Sequence, residues 1–480
     1  MMAEDGLGAV LPGGPDGPDA VALVTALAGR RLSARHLMEA TLERIATVND
    51  PLNAIVSRRP DAELLAEADA CDAAGPGGAL HGLPIAIKDL ADAKGLPTSQ
   101  GSPVFAGQVA QTDSPHVARL RAAGAIVIGK TNTPEFGLGS NTYNPVHGAT
   151  VNPYDSDRSC GGSSGGAAVA LAAGMVAIAD GSDMMGSLRN PAGWTNVYGM
   201  RPGWGRVPGS GTGDLYLHRL STNGPMARSP ADLALLLRVM SGPVPGVPHG
   251  YGLDPIGPVS ARAQGLRIGW LGDWGGAWPF EPGILALCEE ALGVFDDLGA
   301  RVEALPPPFA RDLLWQSWTQ LRSWSVASEL TPLLDDPQFA GQLKPEAVWE
   351  VQQGRALSAL EVHQASAIRS DWLRAAERLF ETHDALALPT AQVWPFPITS
   401  NWPREIAGRD MDSYHRWMEV TIPASLLGLP VVAIPAGFGA AGLPMGVQLI
   451  GRPGSDNTML DLAEAYHRAT RWPQRRPPDL

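Results

Sequence analysis

Along the chain, segments whose hydrophobic residues repeat with the period of a helix alternate with short apolar segments typical of strands. A helical period begins near Asp19, and Ser33 is placed to cap a second helix with apolar residues at helical spacing. Further helices are predicted over residues 61–70 and 114–123. Residues 163–173 open on glycine and serine and continue as a predicted helix of small residues.

Short apolar runs between these helices predict buried strands. A fully apolar run such as residues 125–129 is typical of a sheet that is covered on both faces. Because strands alternate with helices, the pattern indicates an α/β core. The predicted strands lie at residues 51–56, 82–88, 125–129, 176–180, 385–389, 431–435 and 445–450.

Two segments depart from this alternation. Residues 1–18 are rich in glycine and proline, and we expect a flexible N-terminus. Residues 255–383 contain most of the 14 tryptophans, and we expect a mostly helical excursion over the core. Most of these indoles should pack in the core, although some could line an aromatic pocket. With these two departures, residues 1–480 are predicted to form a single domain.

The composition says more about the possible binding partners of the protein than about its fold. The chain has 480 residues, 44% of them hydrophobic, and a net charge of −13. Such an acidic protein disfavours nucleic acid and anionic membranes as partners. The N-terminal residues lack the basic and apolar regions of a secretory signal, and no run is long enough to span a membrane. We therefore expect a cytoplasmic protein.

The three cysteines, Cys71, Cys160 and Cys288, fit neither a zinc site nor a disulfide framework. Cys160 lies close to the glycine-rich segment described next, but no histidine stands beside it in sequence to activate it. We interpret it as a small packing residue. No group of residues has the spacing of metal ligands, so we expect no metal and no cofactor.

Residues 159–174 form the most unusual segment, because four glycines bracket the adjacent serines Ser163 and Ser164 at the start of a predicted helix. Glycines allow a close approach of the backbone, and a helix N-terminus offers free N–H groups. A flexible loop and a phosphate cradle are the alternatives. However, neither the Walker pattern nor the dinucleotide-binding pattern is present.

Two further residues stand out as candidates for chemistry. Ser187 follows a predicted strand and a turn, and Lys88 ends an apolar strand. A lysine in that position is either a buried base or the salt-bridge partner of Asp89 or another carboxylate. Taken from this segment alone, the salt bridge is the better interpretation.

Together these segments closely resemble the amidase-signature hydrolases, and the resemblance covers nearly the whole chain. The motifs occur in the family's order: Gly82-Leu-Pro-Ile-Ala-Ile-Lys-Asp, Gly129-Lys-Thr-Asn-Thr-Pro-Glu-Phe, Gly161-Gly-Ser-Ser-Gly-Gly and Gly442-Leu-Pro-Met-Gly-Val-Gln-Leu-Ile. The resemblance implies the amidase-signature fold, a large twisted mixed β-sheet core covered by α-helices on both faces. Within the second motif, framework packing is expected for Asn132, Thr133 and Glu135, and also for the nearby Tyr143.

The resemblance also implies a catalytic triad. Ser187 is the nucleophile, Ser163 relays its proton from a cis peptide bond after Gly162, and a neutral Lys88 is the base. A serine hydroxyl needs an adjacent base, and lysine can act as one only if desolvation lowers its pKa from about 10.4 towards ~7–8. Ser164 is expected to orient Lys88.

Substrate contacts follow from the same resemblance. Asp183 and Arg189 are expected to pair and brace the turn before the nucleophile. The backbone of Gly137 should face the bound acyl group, as should Ser163. The oxyanion hole is assigned to the backbone N–H groups of Met184, Met185, Gly186 and Ser187, because such donors stabilise charge on the carbonyl oxygen.

One departure bears on the substrate, because the family usually has two glycines before the nucleophile where this chain has Met185 and Gly186. The bulk of Met185 changes the acyl pocket. The variant resembles a bacterial subgroup of general and aryl amidases that includes hydrolases of urethanes, the carbamates of aromatic amines. A glycine-rich loop over residues 203–214 is interpreted as a mobile lid, with Arg206 shaping the entrance.

The predicted function is therefore hydrolysis of small-molecule amides or carbamates, by a monomer or a homodimer. One alternative is the glutaminase component of a tRNA-dependent amidotransferase, and another is a non-catalytic amide-binding protein. His147 and His218 are the nearest candidates for a Ser-His-Asp site. That interpretation is weak because no Gly-x-Ser-x-Gly elbow is present.

Overall fold

Helices and strands alternate through the computed structural model, which describes residues 17–209 and 213–480. The predicted flexible N-terminus lies almost entirely outside these residues. The helices are α1 (Ala20–Ala28), α2 (Ala34–Leu52), α3 (Asp61–Ala74), α4 (Pro115–Ala122), α5 (Gly165–Ala172), α6 (Arg189–Trp194), α7 (Pro230–Met240), α8 (Ile284–Asp297), α9 (Arg311–Asp335), α10 (Pro345–Ala356), α11 (Ala359–Phe380), α12 (Ile422–Leu427), α13 (Asp456–Thr470) and α14 (Trp472–Arg475).

The strands range from two-residue pairs to eight-residue core strands. They are β1 (Ile55–Val56), β2 (Pro84–Lys88), β3 (Ile126–Thr131), β4 (Tyr143–Asn144), β5 (Gly148–Ala149), β6 (Val151–Asn152), β7 (Asp155–Ser159), β8 (Ile178–Asp183), β9 (Tyr198–Arg201), β10 (Thr222–Ala227), β11 (Arg267–Trp270), β12 (Arg301–Ala304), β13 (Ala385–Pro389), β14 (Glu405–Ile406), β15 (Arg409–Asp410), β16 (Val431–Phe438) and β17 (Pro444–Gly451).

The centre of the fold is an eight-stranded mixed sheet in the order β12-β11-β13-β17-β16-β9-β10-β8. Strand β11 pairs in parallel with β12 and β13, whereas the other neighbours are antiparallel. Helices α7, α8 and α13 pack against the sheet. The α/β fold with a large mixed sheet is therefore confirmed.

Strands β2 and β3 belong to a separate three-stranded sheet with β1. Strand β2 nevertheless lies beside β8 of the large sheet, because the Lys88 N–H donates to Asp180 Oδ1 over 2.8 Å. The end of β2 is thus the point at which the two sheets meet. A strand was expected from residue 51, but helix α2 continues to Leu52. It is followed by Asn53, which caps the helix with a left-handed φ of 51°.

Residues 255–383 contain helices α8–α11 and also two strands that the sequence analysis missed. Strands β11 and β12 have only four residues each, and β12 is an edge strand with exposed ends, so its hydrophobic pattern is weak. Several tryptophans of this segment, among them Trp274, Trp318 and Trp372, are fully buried core residues. Among the described residues, no helix is both long enough and apolar enough to cross a membrane.

Candidate active site

A cavity of about 990 Å³ lies where the Gly/Ser segment before α5 meets the turn after β8. Ser163 and Ser187 both line it, together with Met184, Met185 and Gly137. Gly137 lies against Ser163, since a Cβ built on Gly137 would be 3.4 Å from Ser163 Oγ. The structure therefore brings five of the predicted site residues to one cavity.

Lys88 lies behind Ser163 and is 1% exposed. Its Nζ is 2.8 Å from Ser163 Oγ and 2.9 Å from Ser164 Oγ. It is also 3.0 Å from the hydroxyl of Ser182, a residue that the sequence analysis missed. The amine thus faces hydroxyl groups, and the carboxylate of the adjacent Asp89 is engaged by Lys130.

Burial lowers the pKa of Lys88 from 10.5 to about 7, although the charges of Asp180 and Asp183 act in the opposite direction. Neither carboxylate forms an ion pair with Nζ, because Asp180 holds His116 and Asp183 holds two arginines. A substantial fraction of the amine is consequently neutral at neutral pH and able to accept a proton.

Ser163 and Ser164 are held by close packing of the glycines around them. A Cβ on Gly165 would lie 2.2 Å from Thr142 Oγ1, and one on Gly166 would lie 2.3 Å from the Asn132 backbone nitrogen. Any side chain at these positions would therefore displace backbone or buried side chains. The glycine-rich composition serves this close approach, and the peptide bond between Gly162 and Ser163 is cis.

The turn before Ser187 is organised by the buried carboxylate of Asp183. This carboxylate accepts the N–H groups of Gly186 and Leu188 over 2.9 and 3.0 Å. Its pKa is raised by burial, but the charges of Arg189 and Arg201 outweigh that effect and hold it well below the usual range. The carboxylate therefore stays ionised and fixes the turn.

This arrangement corrects one predicted member of the oxyanion hole. The Gly186 N–H is donated to Asp183 and is not free for a substrate oxygen. Within the described part of the chain, the N–H groups of Met184, Met185 and Ser187 have no hydrogen-bond acceptor. These three remain the available donors, and Gly186 supplies the positive φ of 85° that the turn requires.

Arg189 supports the turn from the opposite side. Its guanidinium forms two hydrogen bonds with Asp183, of 2.9 and 3.0 Å, and both side chains are fully buried. It also donates to Gln448 Oε1, and to Ser425 Oγ over 2.7 Å. These partners come from β17 and α12, so the late part of the chain fixes the turn before Ser187. Sequence motifs alone did not reveal Gln448 and Ser425 as partners.

Arg206 does not have the predicted position at the entrance of the cavity. Its side chain is 3% exposed and forms an ion pair of 3.0 Å with Asp456 at the start of α13. It also donates to the Asp254 carbonyl over 2.9 Å. Arg206 therefore joins three segments of the chain, while its neighbours Trp204 and Val207 line the cavity. Part of the predicted lid, residues 210–212, lies outside the described residues.

The outer wall of the cavity contains a buried arginine that the sequence analysis missed. Arg322 of α9 donates from Nε to Glu350 Oε1 over 2.6 Å and from Nη2 to the Tyr414 hydroxyl over 2.7 Å. Its Nη1 contacts Met184 Sδ at 3.2 Å. The positive charge is thus paired inside the wall, and its cavity-facing contact is with Met184, which begins the turn before Ser187.

The remaining candidates lie outside the Ser–Lys cluster. Cys160 is fully buried, its thiol donates to the Thr150 carbonyl, and burial raises its pKa to about 12. His147 lies beside Ser99, and His218 lines the cavity beside Ser328. Among the described residues, no group of three or more His, Cys, Asp or Glu side chains is arranged to hold a metal ion.

Comparison with known proteins gives concordant matches over most of the chain. The Amidase family model matches residues 36–460. An acylamidase of Rhodococcus erythropolis is 33% identical over 470 residues, covering 96% of this chain and 97% of that protein. A component of the glutamyl-tRNA(Gln) amidotransferase of Chloroflexus aurantiacus is 35% identical over 480 residues, covering 94% of this chain and 96% of that protein. The crystal structure of a bacterial aryl acylamidase of the amidase signature enzymes family has a TM-score of 0.89 at 26% identity, covering 96% of this chain and 99% of that chain.

Proposed function

The chain belongs to the amidase-signature family of amide hydrolases, and from this premise we propose that it cleaves amides and carbamates of aromatic amines through an acyl-enzyme on Ser187. One observation carries the proposal. The Nζ atom of the buried Lys88, whose pKa is lowered to about 7, lies 2.8 Å from Ser163 Oγ. Ser163 and Ser187 line the same cavity.

In the proposed first half-reaction, Ser187 Oγ attacks the substrate carbonyl carbon and its proton passes through the Ser163 hydroxyl to Lys88 Nζ. The N–H groups of Met184, Met185 and Ser187 are the proposed donors to the oxyanion. Collapse of the tetrahedral intermediate breaks the carbon–nitrogen bond, and the leaving amine takes the proton back from Lys88 through Ser163.

In the second half-reaction, water attacks the acyl carbon on Ser187 and its proton passes to Lys88. Collapse of the second tetrahedral intermediate breaks the bond from the acyl carbon to Ser187 Oγ, and Lys88 returns the proton to this oxygen through Ser163. An amide substrate then yields a carboxylic acid. A carbamate substrate yields an alkyl carbonic acid, which loses carbon dioxide and leaves the alcohol. The same residues serve both substrates because the attacked carbon is a carbonyl bound to nitrogen in each case.

The charges of the cavity support a neutral or amine-bearing substrate. Asp92, Asp214 and Glu329 line the cavity. Among the lining residues that the structure describes, Arg322 is the one lysine or arginine, and Glu350 already pairs with it. Glutamine carries a carboxylate that would need a cation, so this lining favours amides and carbamates without a carboxylate over glutamine.

The amidotransferase alternative rests on sequence identity, since the amidotransferase relative is 35% identical to this chain and the acylamidase is 33% identical. It predicts glutaminase activity that appears only with partner proteins. Glutamine therefore belongs in any substrate test. The monomeric or homodimeric state and the cytoplasmic location stay predictions.

The test is a hydrolysis panel of an anilide, an aliphatic amide, an aryl carbamate, an ester and glutamine. We expect the anilide and the aryl carbamate to give the highest kcat/KM. Ser187→Ala should lose at least about 10⁴-fold, since removing a nucleophile costs that much in comparable serine hydrolases. Mass spectrometry of the rapidly quenched wild-type enzyme should show an acyl adduct on the peptide that contains Ser187. Full activity in Ser187→Ala, or cleavage of glutamine alone, would overturn the proposal.

A further inference from the structure

A second concave site lies on the other side of the Arg322 network. It is a cleft of about 270 Å³ between α9, α10 and the segment before α12. Trp315 and Trp349 line it and are both half-buried, unlike the fully buried tryptophans of the core. A volume near the lower end of the range for ligand pockets suits a molecule of one aromatic ring.

Aromatic side chains form the walls of this cleft. The Trp315 and Trp349 rings lie with their centroids 5.1 and 5.8 Å from that of His415, which is fully buried behind them. Burial lowers the pKa of His415 to about 3, so its imidazole is a neutral third ring of the cluster. The Arg416 guanidinium lies over the Trp315 ring, 4.1 Å from the ring centroid. Around this occupied face, the two partly exposed indoles offer an aromatic contact surface for a flat ligand.

The cleft contains polar atoms that can accept hydrogen bonds from a ligand. Gln320 and Ser413 both line it, and the Gln320 Oε1 and Ser413 Oγ atoms are buried without a hydrogen-bond partner among the described residues. The Asp412 carboxylate also lines the cleft, and none of the described lining residues is a lysine or arginine. Because buried polar atoms are ordinarily paired, these atoms call for a ligand with N–H or O–H donors.

The cleft is distinct from the catalytic cavity. Ser323 lines the cleft and donates to Glu350 Oε2 over 2.6 Å, and Glu350 in turn holds Arg322, which lines the catalytic cavity. This buried hydrogen-bond network forms the partition between them. A ligand in the cleft would consequently leave Ser163 and Ser187 accessible.

We propose that the cleft between Trp315 and Trp349 is a second binding site for small uncharged arylamines. The ring packs against the indoles, and the amino group donates to Gln320 and Ser413. The site goes beyond the proposed hydrolysis, although an arylamine is also the leaving group of that reaction.

The probe is aniline, and the readout is ¹⁹F NMR of the full-length protein labelled with 5-fluorotryptophan. Trp315→Phe and Trp349→Phe assign the two cleft resonances, and Trp204→Phe assigns the indole that lines the catalytic cavity. We expect saturable shifts of the Trp315 and Trp349 resonances. A shift confined to Trp204, or no saturable shift at all, would overturn the proposal.

Two variants on the same helix form a matched pair. Gln353 is exposed and lines the cleft, whereas the exposed Gln352 does not. Gln353→Tyr should fill the cleft and abolish the saturable shifts, whereas Gln352→Tyr should leave the dissociation constant unchanged. Equal effects of the two variants would contradict binding in this cleft.

The donor requirement is tested separately. Toluene has the ring of aniline without the N–H groups, and we expect it to bind about fivefold more weakly, which is the usual net effect of one hydrogen bond. Gln320→Met should weaken aniline binding by a similar factor and leave toluene unaffected. If toluene binds as tightly as aniline, the proposed recognition of the amine is wrong. The NMR experiment measures binding without hydrolysis, so failure of this proposal can be distinguished from failure of the proposed hydrolytic function.

Discussion

Two buried lysines on neighbouring strands show how the same side chain acquires different properties. Lys88 ends β2 and Lys130 lies in β3, and both are at most 1% exposed. Lys130 is 3.3 Å from the Asp89 carboxylate and donates to the Ala91 carbonyl over 2.7 Å. The Lys88 amine instead contacts the hydroxyls of Ser163, Ser164 and Ser182.

Burial lowers the pKa of both lysines, but their partners differ in kind. A carboxylate in contact stabilises the ammonium form, and the Asp89 charge opposes the effect of burial on Lys130. Serine hydroxyls carry no charge, so Lys88 reaches a pKa of about 7. Burial alone therefore does not make a base; the decisive difference is that the neighbouring carboxylates of Lys88 are engaged elsewhere.

The largest expected effect comes from removing each lysine in turn. Lys88→Met should lower kcat/KM by about 10²–10⁴-fold, the usual contribution of a general base, and leave the protein folded. Lys130→Met should lower the free energy of unfolding by about 3–5 kcal/mol, because it leaves the Asp89 charge buried without its cation. Chemical denaturation and steady-state kinetics of the two variants provide the measurements.

The proposed difference between the two lysines is wrong if both variants lose the same amount of activity. Folded Lys130→Met enzyme should keep a kcat/KM within a few-fold of the wild type when the rate is divided by the folded concentration. An equal loss of activity in both folded variants would mean that Lys88 has no special role in the chemistry.

A second prediction concerns pH. The base must be unprotonated, so kcat/KM should fall about tenfold per pH unit below a midpoint near 7 and level off above it. A profile that is flat between pH 5 and 7 would contradict the assignment of Lys88.

The free energy of unfolding should also depend on pH, because Lys88 has different pKa values in the folded and unfolded states. The pKa of Lys88 is lowered in the folded state, from 10.5 to about 7. Between these two pH values the unfolded chain binds the additional proton, so the contribution of Lys88 to the free energy of unfolding rises with pH. Lys88→Met should accordingly stabilise the protein most at and below pH 7, where the wild type buries a charge. The difference in unfolding free energy between variant and wild type, measured at pH 6 and pH 9, tests this sign.

A smaller effect is expected at the hydroxyls around Lys88. Ser164→Ala removes a 2.9 Å contact with Nζ and should lower kcat/KM by about tenfold. Because the hydroxyl oxygen also stabilises the ammonium form, its loss should move the midpoint of the pH profile to lower pH. Ser325→Ala, a change at a cavity serine without a contact to Lys88, is the control and should leave the midpoint unchanged. A midpoint that moves equally in both variants would contradict this role of Ser164.

The smallest effect is expected at the cavity wall, at a side chain without a contact to Lys88. Met184→Leu keeps the side-chain volume but removes the sulfur that Arg322 Nη1 contacts at 3.2 Å. We expect a change of a few-fold in KM with little change in kcat. Met185→Leu, the matched substitution at the next residue, lacks this contact and should change KM less. Steady-state kinetics with one anilide compare the two variants directly.

Much of the fold could be predicted because its strands are continuous apolar runs. The runs that became β2, β3, β13, β16 and β17 are five to eight residues long and fully or almost fully buried, so period and composition sufficed. Strands β11 and β12 are four residues long, and β12 has exposed ends. Their pairing with the sheet depends on partners distant in sequence, which no local pattern contains.

At the site, the sequence by itself determined which residues are candidates, since the glycine-rich segment, Lys88 and Ser187 stand out as motifs. Only the tertiary structure decided their surroundings. It engages the Gly186 N–H with Asp183, turns Arg206 towards Asp456 and brings Arg322 against Met184. Each of these contacts depends on the folded geometry, and most of them join residues that are far apart in the sequence. Burial and the distribution of neighbouring charges, which set the pKa of Lys88, likewise exist only after the chain has folded.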